Sequence, residues 1–285
     1  MDGVLVIDKP SGVTSHDVVD EVRKRLSTKR VGHGGTLDPG ATGVLLIGIG
    51  KATRFLSYAQ AAPKRYAAVV RFGATTSTLD AAGEVLTSAS TVDLTRADVE
   101  RVLPRFVGNI EQVPPMVSAV KVGGERLYQK ARRGEEVERS ARSVTIHDLE
   151  VTSFTPGDPA EMTIDVRCSG GTYIRSLAGD IGEALGCGAH LSSLRRTEAG
   201  GFGLEEAIAP EEVTPERVKP LSEVVRDLPK VMVDEQAAAL VANGRPLDPG
   251  DAGRGEVRAV MHGEDLLGVY RVEKGMLRAE RVVPR

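Results

Sequence analysis

Asp38 lies in VGHGGTLDPGATG, where five glycines and a proline shape a loop around one carboxylate, and VLLIGIG follows at once as an apolar run. A carboxylate held in such a loop suits the work of a nucleophile or a stabiliser of developing positive charge. The same letters, LDPG, also describe an ordinary turn, with Asp at the first position and Pro fixing φ at the second. On local residues alone both readings stand. Gly48, Gly50, Lys51 and Thr53 look superficially like a phosphate-binding loop, but Leu45 occupies the position five before Gly50 where glycine is needed, and Ala52 replaces the magnesium-binding hydroxyl. No dinucleotide-binding glycine pattern follows a strand, so nucleotide cofactors are disfavoured. Cys168 and Cys187 lack histidines at ligand spacing, and the five histidines are scattered, so no metal site is expected. A Gly-x-Ser-x-Gly elbow is also missing, which removes the common α/β hydrolase chemistry.

The elements that must position this loop can be read from apolar spacing. VLVID near the N-terminus reads as a strand, and Thr14 or Ser15 offers an N-cap to a helix whose Val18, Val19, Val22 and Leu26 share one face. Residues 66–72, 143–151 and 162–168 read as strands of a mixed sheet. Residues 172–185 have helical spacing at Ile174, Leu177, Ile181 and Leu185. The class is α+β or mixed α/β. Past Pro210 the chain turns rich in proline and charge, with a boundary near residue 220. VRAVM, LLGVYRV and MLRAERVV then read as short strands of a small β-barrel or sandwich.

With 285 residues, 41% hydrophobic and 27% charged, the chain is long enough for one large unit and a small appendage. No apolar run approaches the ~18 residues of a membrane span, and the N-terminal residues read as a strand, so the cytoplasm is the default location. The net charge of -3 argues mildly against a nucleic-acid partner, so any RNA surface must be local. Residues 121–142 are dense in Lys and Arg and basic on balance, although Glu125, Glu135, Glu136 and Glu138 interrupt them, and a solvated face would explain them equally well.

Four blocks together decide between these readings. GHGGTLDPGATGVL with the upstream DKPSGVTS, KRYAAVVRFGATTSTLDAAG at 64–83, PPMVSAVKVGGERLYQKAR at 114–132, and GGTYIRSLAGDIGEALGCGAHLSSLRR at 170–196 resemble, in order, the motifs of the TruB family of pseudouridine synthases. The resemblance implies a pseudouridine synthase fold: a mixed, largely antiparallel sheet with flanking helices over residues 1–220, and a PUA-like β-barrel that binds RNA over 221–285. A thumb-like basic insertion is implied at about 110–142. It implies isomerisation of a uridine in the T-loop of tRNA, uridine 55, without cofactor or metal, by a monomer.

Asp38 would then be the catalytic carboxylate, acting at the anomeric carbon, through a glycal-like intermediate, or on the uracil ring. Arg175, of the YIR triplet, would lie beside it and favour its ionised form. Tyr66 would stack on the base and assist proton transfer, while Tyr173 and Leu194 would line the uracil pocket. The nucleotide must be flipped out of its fold, and His33 would fill the space it leaves. Lys9, Lys64 and Arg132 complete the implied substrate-binding set, and Arg195 and Arg196 could meet phosphates. One departure is Val117, where the family commonly has an aromatic residue. Two rival roles share these motifs: the catalytic subunit of a guide-RNA pseudouridylation complex, and a tRNA-folding or RNA-binding protein without catalysis.

Overall fold

The computed structural model describes the chain except residues 119, 120, 123, 124, 127–132, 134, 136, 252 and 285, and at 121, 122, 125 and 126 it describes the backbone alone. Strand β1 (Gly3–Lys9) and helix α1 (Ser15–Arg25) form the first unit. Thr14 caps α1 in a reciprocal box with Asp17, which satisfies two orphan backbone donors at the helix start. Then come β2 (Val31–His33), β3 (Thr42–Ile49), α2 (Leu56–Ala61) and β4 (Lys64–Phe72). A small hairpin of β5 (Ala74–Thr76) and β6 (Val85–Ser88) precedes α3 (Arg96–Val102) and β7 (Gly108–Gln112). The pair β8 (Lys121–Val122) and β9 (Glu125–Arg126) leads to β10 (Arg142–Thr155) and β11 (Glu161–Cys168). Helix α4 (Ile174–Ala184), β12 (Ala189–Ala199) and β13 (Phe202–Gly203) complete the larger unit.

The main sheet runs β1-β3-β12-β4-β11-β10-β7, with β2 and β13 added on β3 and β12. Its pairings are antiparallel except for a short parallel contact of β3 with β12, so the expected mixed, largely antiparallel sheet is present. Strand β3 divides one edge between two partners. Its start, Thr42 and Gly43, meets Arg195 and Arg196 of β12, and its end meets β2. Residues 34–41, with Asp38 among them, leave the sheet between those two pairings.

Burial explains the two kinds of apolar pattern. Strands β1 and β3 are covered on both faces, which is why their letters run apolar without alternation. Leu5, Ile7, Leu45 and Ile47 join Val18, Val19 and Val22 of α1 and Leu177 and Ile181 of α4 in the main core. Val4, Val6, Val44 and Leu46 point the other way, onto Ala59 and Phe202. Strand β4 alternates: Lys64, Tyr66, Ala68, Val70 and Phe72 face inward. The outer edge of β1 is sealed by residues 208 and 219, whose backbones bond to Val4, Val6 and Asp8, so no bare strand edge is left there.

After residue 225 come β14 (Lys230–Met232), α5 (Glu235–Val241), β15 (Val257–His262), β16 (Asp265–Glu273) and β17 (Met276–Val282). They form a four-stranded sheet in the order β14-β15-β16-β17, in which the two outer strands do not pair with each other; a closed barrel is not shown. One face packs Ala259, Met261 and Val269 on Phe55, Leu56, Val224 and Val225, and so ties this sheet to the larger unit. The other buries Val260, Tyr270 and Leu277 under Val241 of α5. Among the described residues no helix is long and apolar enough to cross a membrane.

Candidate active site

The loop 34–41 is held from below by side chains that bond its backbone. Ser15 Oγ and Leu37 exchange bonds, Oγ donating to the Leu37 carbonyl at 3.1 Å and accepting from its N–H at 2.9 Å. Lys9 Nζ donates to Pro39 O at 3.2 Å, and Arg196 donates to Gly35 O and Thr36 O at 3.3 and 3.4 Å. The Ala41 N–H closes the turn on Asp38 O at 3.0 Å. Turn and carboxylate site therefore coincide: the turn fixes the backbone, and the carboxylate is what it presents.

Arg175 grips that carboxylate side-on, Nε to Oδ2 at 3.0 Å and Nη2 to Oδ1 at 3.3 Å. The guanidinium is 4% exposed. Its other donors go to Thr78 O at 3.1 Å and Val117 O at 2.7 Å, and Asp80 lies 3.5 Å away. Each nitrogen is thus committed, which fixes the plane of the guanidinium and hence the attitude of Asp38. Val117, the family departure, serves here through its carbonyl, so its side chain is free to differ.

Asp38 keeps 40% of its side chain open and lies on the lining of a cleft. Desolvation is the largest influence and pushes the carboxyl upward; Arg175 pulls it down, Asp80 pushes it up and Lys9 pulls it down, with a net rise above the ordinary 3.8. Arg175 acts in the expected sense without deciding the net direction. Tyr66 is buried and its phenol is likewise pushed up, by desolvation first and against the pull of Arg196.

The cleft encloses about 320 Å³. Of the expected residues it brings together Asp38, Tyr66, Arg175, Tyr173, Leu194 and His33 on its lining. Lys9 and Lys64 are placed otherwise, although both were expected to bind substrate. Lys9 is 0% exposed and spends its ammonium on the carbonyls of Pro10, Val13 and Pro39. Lys64 lines the cleft, yet its ammonium caps the end of α2 at Ala59, Gln60 and Ala62. Burial pushes each down to about 8. Arg196, at 2% exposure, bonds Val44 O as well as the loop, and Arg195 pairs with Asp8 at 2.7 Å. Arg196, though buried, lies on the lining of the cleft. Arg132 lies outside the described residues.

Sequence reasoning missed two residues. Asp80 steadies Arg175, and is itself tied by Thr78 Oγ1 and the Ala82 N–H. Gln112, at the end of β7, clamps the backbone of Tyr173 through both ends of its amide, at 3.0 and 3.2 Å. Asp80 sits inside the second motif, which was a signal available to be read. For Gln112 only the parity of β7, which turns its last residue inward, could have served.

Comparison with known proteins matches residues 23–174 to the TruB family pseudouridylate synthase N-terminal domain and residues 175–229 to the tRNA pseudouridylate synthase B C-terminal domain. A tRNA pseudouridine synthase B from Symbiobacterium thermophilum is 51% identical over 86% of this chain and 82% of its own length. One from Azoarcus sp. is 45% identical over 99% and 95%. Among solved structures, a chain in the crystal structure of a Cbf5-Nop10-Gar1 complex superposes with TM-score 0.76 at 30% identity, covering 99% of this chain and 85% of that one. Another, in an H/ACA RNP bound to a substrate RNA containing 2'-deoxyuridine, gives 0.73 at 27%, covering 99% and 85%. The family match and the relatives thus make the chain a pseudouridylate synthase, an isomerase of RNA. Within that class the chain belongs to the TruB family, the tRNA pseudouridylate synthases B.

Proposed function

We propose that the chain isomerises uridine 55 in the T-loop of tRNA, with Asp38 as the catalytic carboxylate. The observation that supports this most is the Asp38–Arg175 pair on the lining of a cleft that also takes in Tyr66, Tyr173 and Leu194. The reaction breaks the bond from N1 to C1′, rejoins C1′ to C5, moves a proton onto N1 and releases the one on C5. Nothing is oxidised, and no group leaves, so the residues needed are a carboxylate, a stacking platform and a proton carrier. Asp38 meets the ribose or the ring, and Arg175 fixes it there. Tyr66 and Leu194 sandwich the uracil, with Tyr173 beside them. Tyr66, whose phenol burial raises, also assists the transfer of the proton between C5 and N1. The uridine must leave its stack to arrive, and His33, on the lining of the cleft, takes the vacated space.

Residues 1–220 act as the catalytic unit and 221–285 as a PUA-like RNA-binding module; the basic insertion at about 110–142 is the proposed thumb, of which 119, 120, 123, 124, 127–132, 134 and 136 lie outside the described residues. The protein works as a cytoplasmic monomer. Identity is 26–30% to the chains from the Cbf5 and H/ACA complexes against 43–51% to the tRNA pseudouridine synthases B, which favours the stand-alone reading.

Pure protein incubated with a T-arm stem-loop carrying 5-³H-uridine should release tritium, and modified positions in bulk tRNA should map to position 55. Asp38→Asn should bind the stem-loop and release none. Full turnover by that variant ends the mechanistic claim; a modified position elsewhere ends the substrate claim.

A further inference from the structure

Two cations line the cleft with no acid to balance them. Lys64 and Arg196 are 6% and 2% exposed, and both lie on its lining. They flank Tyr66: Lys64 stands two residues before it on the inward face of β4, and Arg196 is its direct cross-strand partner on β12. Lys64 is held by the carbonyls of Ala59, Gln60 and Ala62, and Arg196 by those of Gly35, Thr36 and Val44. Among the described residues neither forms an ion pair, whereas Arg175 is matched by Asp38 and Asp80. Both carry charge at neutral pH. A guanidinium does not titrate there, and the Lys64 ammonium, pushed down by burial and then by Arg196, still comes to about 8, with Cys168 and Asp227 pulling it up by less. Taking a cation out of water without an anion is costly, and a neutral donor would bond a carbonyl without that cost. Positive charge beside Tyr66 therefore calls for a negative partner that comes with the substrate.

In the function proposed above, on which this inference rests, the group beside Tyr66 is the uracil. It arrives neutral and turns negative during the reaction, whichever course Asp38 takes. If the carboxylate attacks C1′, or C2′ loses a proton to give a glycal, the N1–C1′ bond breaks with its electron pair left on N1. The freed uracil is then an anion spread over N1, O2 and O4. If the carboxylate adds to C6 of the ring instead, the displaced pair passes to C5 and O4. Forming the C5–C1′ bond uses that pair, and the proton lost from C5 is matched by the one gained at N1, so the charge is transient. We propose that Lys64 and Arg196 stabilise this passing negative charge on the uracil. Fixed charges in a buried site do so without reorganising at the moment of reaction, and more strongly than the same charges in water.

Arg196→Gln and Lys64→Gln each keep an amide donor for the carbonyls and lose the charge. On a T-arm stem-loop each should slow the single-turnover loss of uridine about a hundredfold, the size of one preorganised donor removed from a developing charge. The dissociation constant should stay within about twofold of wild type, because the bound base is still neutral and gains nothing from the charge before the reaction begins. Fluorine at C5 withdraws electrons and steadies the pyrimidine anion by itself. On a stem-loop with 5-fluorouridine at the target the same variants should therefore lose only about tenfold or less. The readout on both substrates is disappearance of the original nucleoside from the digested RNA, which does not depend on release of the C5 substituent. Arg196→Lys keeps the charge and should run about tenfold or more faster than Arg196→Gln. Equal losses on the two substrates overturn the proposal and make both residues structural. Unchanged rates overturn it too, as does a loss carried by affinity, or Arg196→Lys no faster than Arg196→Gln. Should Arg196→Gln unfold, Lys64→Gln carries the same comparison. If the wild-type protein modifies a uridine elsewhere in tRNA, the T-loop reading fails, while the comparison is made on that uridine and keeps its meaning.

Discussion

The carboxylate of Asp38 is pulled in opposite directions, and the pulls can be separated by substitution. Burial and Asp80 raise it, Arg175 and Lys9 lower it, and the net is a rise above 3.8. If the ionised form does the chemistry, activity is lost as pH falls through the Asp38 pKa, so the acid limb of a single-turnover profile lies above that of an ordinary aspartate. Arg175→Met removes a lowering charge and should move that limb to higher pH, besides slowing the plateau; Asp80→Asn removes a raising charge and should move it lower. Shifts of the same sign in both variants would show that the limb belongs to another group. At this scale the sequence was informative about Asp38, Tyr66 and Arg175 because they sit in long motifs. It gave no hint that Lys9 and Lys64 are buried, since lysine rarely is. Strand parity held the corrective signal: Lys64 shares the inward face of Tyr66, Ala68 and Val70, and Lys9 shares that of Leu5 and Ile7.

Between elements, the junction of β3 with β12 decides where the loop of Asp38 leaves the sheet. Gly43 sits there with φ +100, and a Cβ on it would lie 2.1 Å from Arg196 O and 2.8 Å from Arg196 N. Both atoms are backbone and cannot step aside. Gly43→Ala should cost about 3 kcal/mol, from overpacking and a disfavoured φ together, read as a lower urea midpoint. Gly40, three residues earlier in the same loop, meets nothing within 4 Å, and Gly40→Ala should stay within about 0.5 kcal/mol of wild type. Equal midpoints for the two variants would refute a special role for the junction. Strands and helices were legible from period: the helix read at 172–185 is α4 at Ile174–Ala184, and the strand read at 162–168 is β11 at Glu161–Cys168. What period does not encode is closure. VRAVM, LLGVYRV and MLRAERVV announce strands, but whether β14 and β17 meet depends on twist and on α5, which no local pattern specifies.

For the molecule as a whole, a net charge of -3 must coexist with a polyanionic substrate. The cations must therefore be gathered. Besides the segment at 121–142, residues 23–30 hold five of them, Arg23, Lys24, Arg25, Lys29 and Arg30. Arg23 and Arg25 are engaged by Asp20 and Glu21, and Lys24, Lys29 and Arg30 are exposed. This run feeds directly into β2, which ends at His33 on the lining of the cleft. Three residues lie between Lys29 and His33, so their Cα atoms are at most about 13 Å apart at the rise of a strand, a distance that phosphates flanking a flipped nucleotide can span. Each phosphate neutralised contributes a little under one unit to the slope of log affinity against log salt. With few free cations the slope should be modest, roughly three to five. If Lys29 meets a phosphate, Lys29→Ala should reduce it by about one while leaving the plateau single-turnover rate unchanged, because the residue is not on the lining of the cleft. Titrating a fluorescent T-arm stem-loop at several salt concentrations measures both slopes. An affinity that is flat with salt, or a Lys29→Ala slope equal to wild type, would place the phosphate contacts elsewhere on the surface.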